Sequence, residues 1–181
     1  MVLERTRGRE SSTTVSMAGS TALTTCGTGR GPYNQPMELT NLIAEHLRLK
    51  AIVHLATVTP DGDPHVAPVH ADWSDGLLYV MAGTDARKIR NIAVNPSVSL
   101  HYQVGESTGW DSLMIWGRAT VLDSLEDKRR LWTGVFDYDL NLFSPGGPDG
   151  SPKTCFIEIA PERAVLLRNF GMDGREEWKA E

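Results

Sequence analysis

Cysteine is scarce: Cys26 and Cys155 are the only two in 181 residues. They lie too far apart for a disulfide framework, and neither belongs to a CxxC pair or a Cys/His cluster, so no structural zinc site is expected. No apolar run approaches the roughly 20 residues of a membrane-spanning helix. No Lys/Arg stripe marks a face, and the net charge of −5 gives no pull on a polyanion, which argues against a duplex-binding domain. A GxSxG elbow is missing and neither cysteine has a nucleophile's setting, so hydrolase chemistry lacks its signature. There is no internal repeat. What is present is the composition of one ordinary domain, 40% apolar, enough for a single core. The chain reads as a cytoplasmic protein.

Residues 1–36 differ from everything that follows. Arg5, Arg7, Arg9 and Arg30 sit in a Ser, Thr and Gly tract with almost no large apolar side chains. Such a tract cannot bury enough surface to offset its ordering entropy. It lacks the apolar segment of a secretory signal, and its Arg- and Ser-rich, acid-poor make-up is only faintly that of a transit peptide. It reads as a disordered leader, or as the product of an upstream start codon with Met17 or Met37 as the true first residue. The GTGRG run at Gly27–Gly31 has no strand before it and no Lys-Ser/Thr after it, so it reads as linker rather than phosphate loop. The folded domain is expected over 37–181.

Leu39, Leu42, Ile43 and Leu47 recur at helical spacing and predict a short amphipathic helix ending by Lys50. A β meander follows. Ala51–Val58 is apolar and β-branched, Pro60-Asp61-Gly62 is a turn, Asp63–Trp73 contains a second strand, and Ser74-Asp75-Gly76 turns into a third over Leu77–Ala82. Helical spacing returns over Arg87–Val94, with Thr84 or Asp85 as N-cap and Pro96 beyond the end. Ser97–Val104 and Leu113–Leu122 are further strands. Ser124 opens a helix running to about Phe136, with Asp127 completing a near capping box. The stretch 137–152 is a long Gly/Pro/Asp loop. Cys155–Ile159 and Arg163–Arg168 are two last strands flanking Pro161, followed by a polar tail. Six or seven short strands joined mostly by tight turns predict a mainly β fold with flanking helices, a closed antiparallel barrel rather than a doubly wound sheet.

Thr84-Asp85-Ala86-Arg87-Lys88 is the most informative local constellation. It sets two cations in the first turn of a helix entered from a strand. A helix N-terminus attracts anions, so cations there are unfavourable for the helix itself. This local conflict predicts a phosphate or other anion nearby; the alternative is a solvated basic face. Histidines are the second candidate. His65 and His70 fall on opposite faces of one strand by period-2 alternation, with His54 on the strand before, so they do not converge on one metal and no metal site is expected. A cofactor or substrate contact from one of them is the better reading. Among the five tryptophans, Trp116 and Trp132 fit core packing, whereas Trp73, Trp110 and Trp178 lie where ring stacking or a subunit contact is plausible.

Read as a series, LATVTPDGDPHVAPVHADWSDGLLYVMAGTDARKIRNIAVNPSVSLHY resembles the FMN-binding split-barrel family, which includes the pyridoxamine 5′-phosphate oxidases. The later segments WGRATVLDSLEDKRRLW and FIEIAPERAVLL continue the likeness, which covers about Leu39 to Trp178. The LFSPGGPDG loop and the Trp-rich middle are closer to the general stress protein branch.

The resemblance implies a six-stranded antiparallel Greek-key split barrel that forms a homodimer with two FMN sites at the interface. Arg87 and Lys88 match the basic pair on the FMN phosphate. His65, Val66, Ala67, Pro68, Val69 and His70 match the strand along the isoalloxazine and ribityl chain, and Met81 and Ala82 match contacts from the next strand. Ser112 falls where a partner's polar residue reaches the flavin, and Trp178 resembles a C-terminal aromatic closing over it. The Arg-x-His substrate motif of true pyridoxamine phosphate oxidases is missing, and RNFGMDGREEW stands in its place. The implied function is therefore a flavin-dependent oxidoreductase other than that enzyme, with a reduced nicotinamide or small organic partner and no protein acid or base required. A non-enzymatic, stress-linked flavin binder is the alternative of another class. F420 is the alternative cofactor, with FMN favoured because Arg87-Lys88 suits a compact terminal phosphate.

Overall fold

The computed structural model describes residues 33–49 and 52–181, so residues 1–32 of the 1–36 leader reading, GTGRG included, lie outside the described residues, and its last four residues form a strand. Nine strands and three helices follow one another: β1 (Tyr33–Pro36), α1 (Leu39–Leu49), β2 (Val53–Val58), β3 (Pro64–Val69), β4 (Asp72–Ser74), β5 (Leu77–Gly83), α2 (Arg87–Val94), β6 (Ser97–Tyr102), β7 (Ser112–Leu122), α3 (Leu125–Leu131), β8 (Thr154–Arg168) and β9 (Gly174–Lys179).

The strands form one mixed sheet in the order β1-β9-β8-β7-β6-β2-β3, with β5 branching off β8 and carrying β4. Every pairing is antiparallel except β1 with β9. The mainly β architecture with flanking helices is as expected from the sequence. The strand count is not. Nine strands replace the expected six or seven, and their hydrogen bonding does not close into a ring, because β3 pairs only with β2 among the described strands.

The additional strands are β1, β4 and β9, while β8 joins the two strands expected on either side of Pro161. Pro161 does not end it. Against β7, Trp116 pairs with Arg163 and Gly117 with Pro161, so Glu162 is an extra residue in a bulge. A bulge is one of the few places where a sheet accepts a residue with no N–H. On its other side, β8 pairs with β5 up to Ile159 and with β9 from Arg163 onward. Gly117 is required at this crossing: a Cβ built there would overlap the Ala160 carbonyl.

Alternation sorts β5 and the first half of β8 between two cores. Leu78, Val80, Ala82, Cys155, Ile157 and Ile159 face the main core with Leu42, Leu55, Leu100, Leu113 and Leu166. Tyr79 and Phe156 face the other way, into a smaller cluster with Leu131, Trp132 and Leu140. Each fully buried Leu or Ile contributes about 1.5–3 kcal/mol relative to exposure. Because both faces are covered, these two segments read as continuous apolar runs.

The helices pack against the sheet. Leu42, His46 and Leu49 form the buried stripe of α1. Helix α2 packs on β2 and β7. Helix α3 is capped as expected, Ser124 Oγ accepting from Asp127 N–H, but it stops at Leu131 instead of continuing to Phe136. The chain beyond it, through Phe136 and Tyr138, packs over the smaller cluster.

Candidate functional site

Helix α2 starts without a side-chain cap. Ala86, not Thr84 or Asp85, occupies the N-cap position with extended φ/ψ, and no acidic residue lies in the first turn. Thr84 N–H is instead tied to the Lys153 carbonyl, and Ala86 N–H to that of Gly83. The first helical bond is from Ile89 N–H to the Ala86 carbonyl at 3.0 Å, which leaves the Arg87 and Lys88 amides at the open end. Among the described residues neither the Arg87 guanidinium nor the Lys88 ammonium meets a carboxylate. An uncapped terminus, two amides and two cations together make a site of positive potential.

Arg87, Arg90 and Asn91 line a cleft of about 310 Å³ against the β2–β3 turn residues Thr59, Pro60, Asp61 and Asp63. The acidic side chains on the turn make this cleft mixed in sign. Lys88 does not line this cleft, and its charge acts on Cys155. The Cys155 thiol is pushed up to about 11, by burial first and by Asp123 second, against the pull of Lys128 and Lys88. It is thus an inert core thiol at neutral pH.

The helix is wired to the sheet by a buried polar chain. Asn91 Nδ2 donates to Thr57 Oγ1 at 2.9 Å, and Thr57 Oγ1 hydrogen-bonds His65 Nδ1 at 3.3 Å. His65, Ala67 and Val69 share the inward face of β3 with Thr57, Leu55 and Val53 of β2, while Val66 and Pro68 point outward opposite Ala56 and His54. Sequence reasoning missed Asn91 and Thr57. The signal was available, since alternation from Val53 and Leu55 puts Thr57 inward, where a hydroxyl needs a partner.

The remaining sequence-derived residues spread over the molecule. Ala82 faces the main core and Met81 the smaller cluster, so the two adjacent residues present opposite faces of β5. Ser112 is buried at the start of β7, its hydroxyl 3.1 Å from His101 Nε2. His101 titrates below the ordinary histidine value because of burial first and His54 across the strand pair second. Trp178 sits in β9 opposite Ala164 and packs on the main core. It lines a separate cleft with Met37, Glu38 and Leu39, not the one that holds Arg87.

His70 lies just past the end of β3, where the chain bends into β4. Its Nε2 is 3.0 Å from Asp72 Oδ2 and 3.1 Å from Asp137 Oδ1. The Tyr138 ring meets its edge at 4.8 Å. Behind Asp72 lies a second histidine, His46, fully buried, with Nε2 3.9 Å from Asp72 Oδ1 and Nδ1 2.5 Å from the Tyr102 hydroxyl. Burial chiefly, with Asp72 adding to it, drives the Tyr102 phenol far above its ordinary value. This carboxylate and histidine group was not legible in the sequence, because its members come from α1, the β3–β4 corner, β6 and the long loop after α3.

The fold has many relatives among solved structures. A protein related to general stress protein 26 from Clostridium acetobutylicum matches with a TM-score of 0.63 and 20% identity, over 79% of this chain and 96% of that one. A pyridoxamine 5′-phosphate oxidase-related, FMN-binding protein from Nostoc punctiforme matches at 0.56 and 16%, over 76% and 87%. An F420 reductase matches at 0.51 and 23%, over 66% and 94%. No curated protein matches. The family model for pyridoxamine 5′-phosphate oxidase fits residues 39–168, from the first residue of α1 to the last of β8. The chain belongs to the pyridoxamine 5′-phosphate oxidase family.

Proposed function

We propose that this chain is an FMN-binding oxidoreductase that works as a homodimer and is not itself a pyridoxamine phosphate oxidase. The observation that carries the reading is the start of α2, with no side-chain cap, no acidic residue in its first turn, and Arg87 and Lys88 without carboxylate partners among the described residues. A terminal phosphate dianion fits such a terminus by charge and by hydrogen-bond donors. The Asn91–Thr57–His65 chain fixes that terminus relative to β3, which would run along the rest of the cofactor. The family likeness supports the same placement, with Met81 and Ala82 supplying contacts from β5.

Dimerisation rests on β3. It pairs on one side only among the described strands, and its outward Val66 is 58% exposed. A second copy laid on this face would cover it, and by the family likeness Ser112 of one chain would then reach toward the other's cofactor, with Trp178 closing over the site. This would form a split barrel with two sites between the chains.

Bound flavin supplies the hydride and electron chemistry. The chain's residues bind the phosphate, orient the ring and keep water from it. The B6 reaction is disfavoured because Asn169, Phe170 and Gly171 form the turn between β8 and β9, where the true oxidases carry an Arg-x-His motif. The testing experiment is an absorbance spectrum of the purified protein, with mass spectrometry of any chromophore released on denaturation. FMN near one per chain supports the reading. F420, the cofactor named for one structural neighbour, would keep the site and change the chemistry, and a colourless protein that takes up neither would overturn it. Turnover with NADH or NADPH faster than free flavin separates the oxidoreductase from a passive flavin binder.

A further inference from the structure

Three side chains, two neighbours in sequence and one 67 positions from His70, converge at the corner between β3 and β4. His70 is at the bend, Asp72 opens β4, and Asp137 comes from the loop after α3. One ligand atom from each, His70 Nε2, Asp72 Oδ2 and Asp137 Oδ1, lies within 4.8 Å of the other two. We propose that these three residues form a binding site for one divalent transition-metal ion, at the end of the strand read as running along the flavin.

The spacing suits an ion. Ligand atoms held about 2.1 Å from a metal at right angles to each other lie about 3.0 Å apart. His70 Nε2 stands at 3.0 Å from the Asp72 oxygen and 3.1 Å from the Asp137 oxygen. The imidazole nitrogen is therefore adjacent to both carboxylates. An ion would take the place of the hydrogen-bond contacts at His70 Nε2.

The surroundings suit one as well. Asp72 is 5% exposed at its side chain, and its other oxygen faces the buried His46, which in turn holds the Tyr102 hydroxyl. The edge-on Tyr138 ring fixes the plane of His70. Asp137 is 56% exposed at its side chain, so the cluster reaches the surface there.

The donor set selects the ion class. Two carboxylates balance a 2+ charge. One imidazole nitrogen beside two oxygens suits zinc, manganese or ferrous iron better than calcium or magnesium, which favour oxygen alone, and better than cuprous copper, which favours sulfur.

The test uses the full-length, tag-free chain stripped with a chelator and titrated with Zn²⁺ by calorimetry, with Co²⁺ absorbance as a second probe. The expected result is one ion per chain, with affinity falling at least tenfold in Asp137→Asn. That exposed substitution should leave thermal unfolding of the metal-free protein unchanged. Asp139→Asn, at an exposed carboxylate two residues away that caps Asn141, should bind as the wild type does. Absence of saturable binding to the wild type would overturn the proposal, and so would wild-type affinity in Asp137→Asn.

Discussion

Asn91, in the second turn of α2, donates its side-chain amide to the Thr57 hydroxyl of β2 at 2.9 Å, and both residues are all but fully buried. This bond is the join between the positively charged helix start and the sheet. Removing it by Asn91→Ala strips a buried hydroxyl of its donor, which costs about 1–3 kcal/mol. Urea denaturation should show that loss. A double-mutant cycle with Thr57→Val should then show coupling, the second substitution costing less once the first is made. Additive effects would mean that the two side chains do not act together.

Gly117 allows β7 and β8 to cross closely beside the Pro161–Glu162 bulge, with no room for a Cβ against the Ala160 carbonyl. The obstacle is backbone rather than a flexible side-chain end. Gly117→Ala should therefore destabilise the fold by about 1–3 kcal/mol or more, in the range of overpacked cores. A thermal midpoint equal to wild type would show that the strands separate freely there.

Acid stability should depend on Arg168. Burial alone would raise the carboxyls of Glu45 and Asp111, but hydrogen bonds outweigh it and both titrate below their ordinary values. Those bonds come from Arg168 and Arg48 at Glu45, and from Asn169 N–H, Arg168 and Arg48 at Asp111. A carboxyl depressed in the folded state stabilises the fold above its unfolded pKa and loses that contribution as pH falls through its folded value. Urea midpoints should hold level on approach from neutral pH and drop below the ordinary values of 4.5 for glutamate and 3.8 for aspartate. Arg168→Met should be less stable at pH 7 and lose less on acidification. Equal acid slopes for the two proteins would contradict this.

The outward face of β3 offers a test of the dimer. Val66→Glu puts a charge in the centre of the proposed contact, where an unpaired buried charge is costly. Sedimentation should give a dimer for the wild type and a shift toward monomer for the variant. A wild-type monomer at micromolar concentration would remove the proposed interface.

The meander and α2 were legible because their signals are local. Pro60-Asp61-Gly62 and Ser74-Asp75-Gly76 mark turns, and the apolar residues between them have a clear period. The strands β1, β4 and β9 were not. Gly174–Lys179 carries one large apolar residue, Trp178, among charged ones, so its strand character comes from pairing with β8 rather than from its own pattern. Pro161 read as a break because a sequence cannot reveal the bulge that accommodates it. At the site, Arg87 and Lys88 stood out by opposing the helix dipole. His70 and Asp137 are 67 positions apart, and nothing local to either marks the other.

The central claim is that the start of α2 holds a flavin phosphate. Titration of FMN into wild type and into the Arg87→Ala, Lys88→Ala double variant, followed by flavin fluorescence, tests it most directly. Charge-assisted contacts to phosphate contribute roughly 1.5–3 kcal/mol each, so the dissociation constant should rise by more than tenfold while the variant keeps its fold. Equal FMN affinity in the two proteins would contradict the assignment.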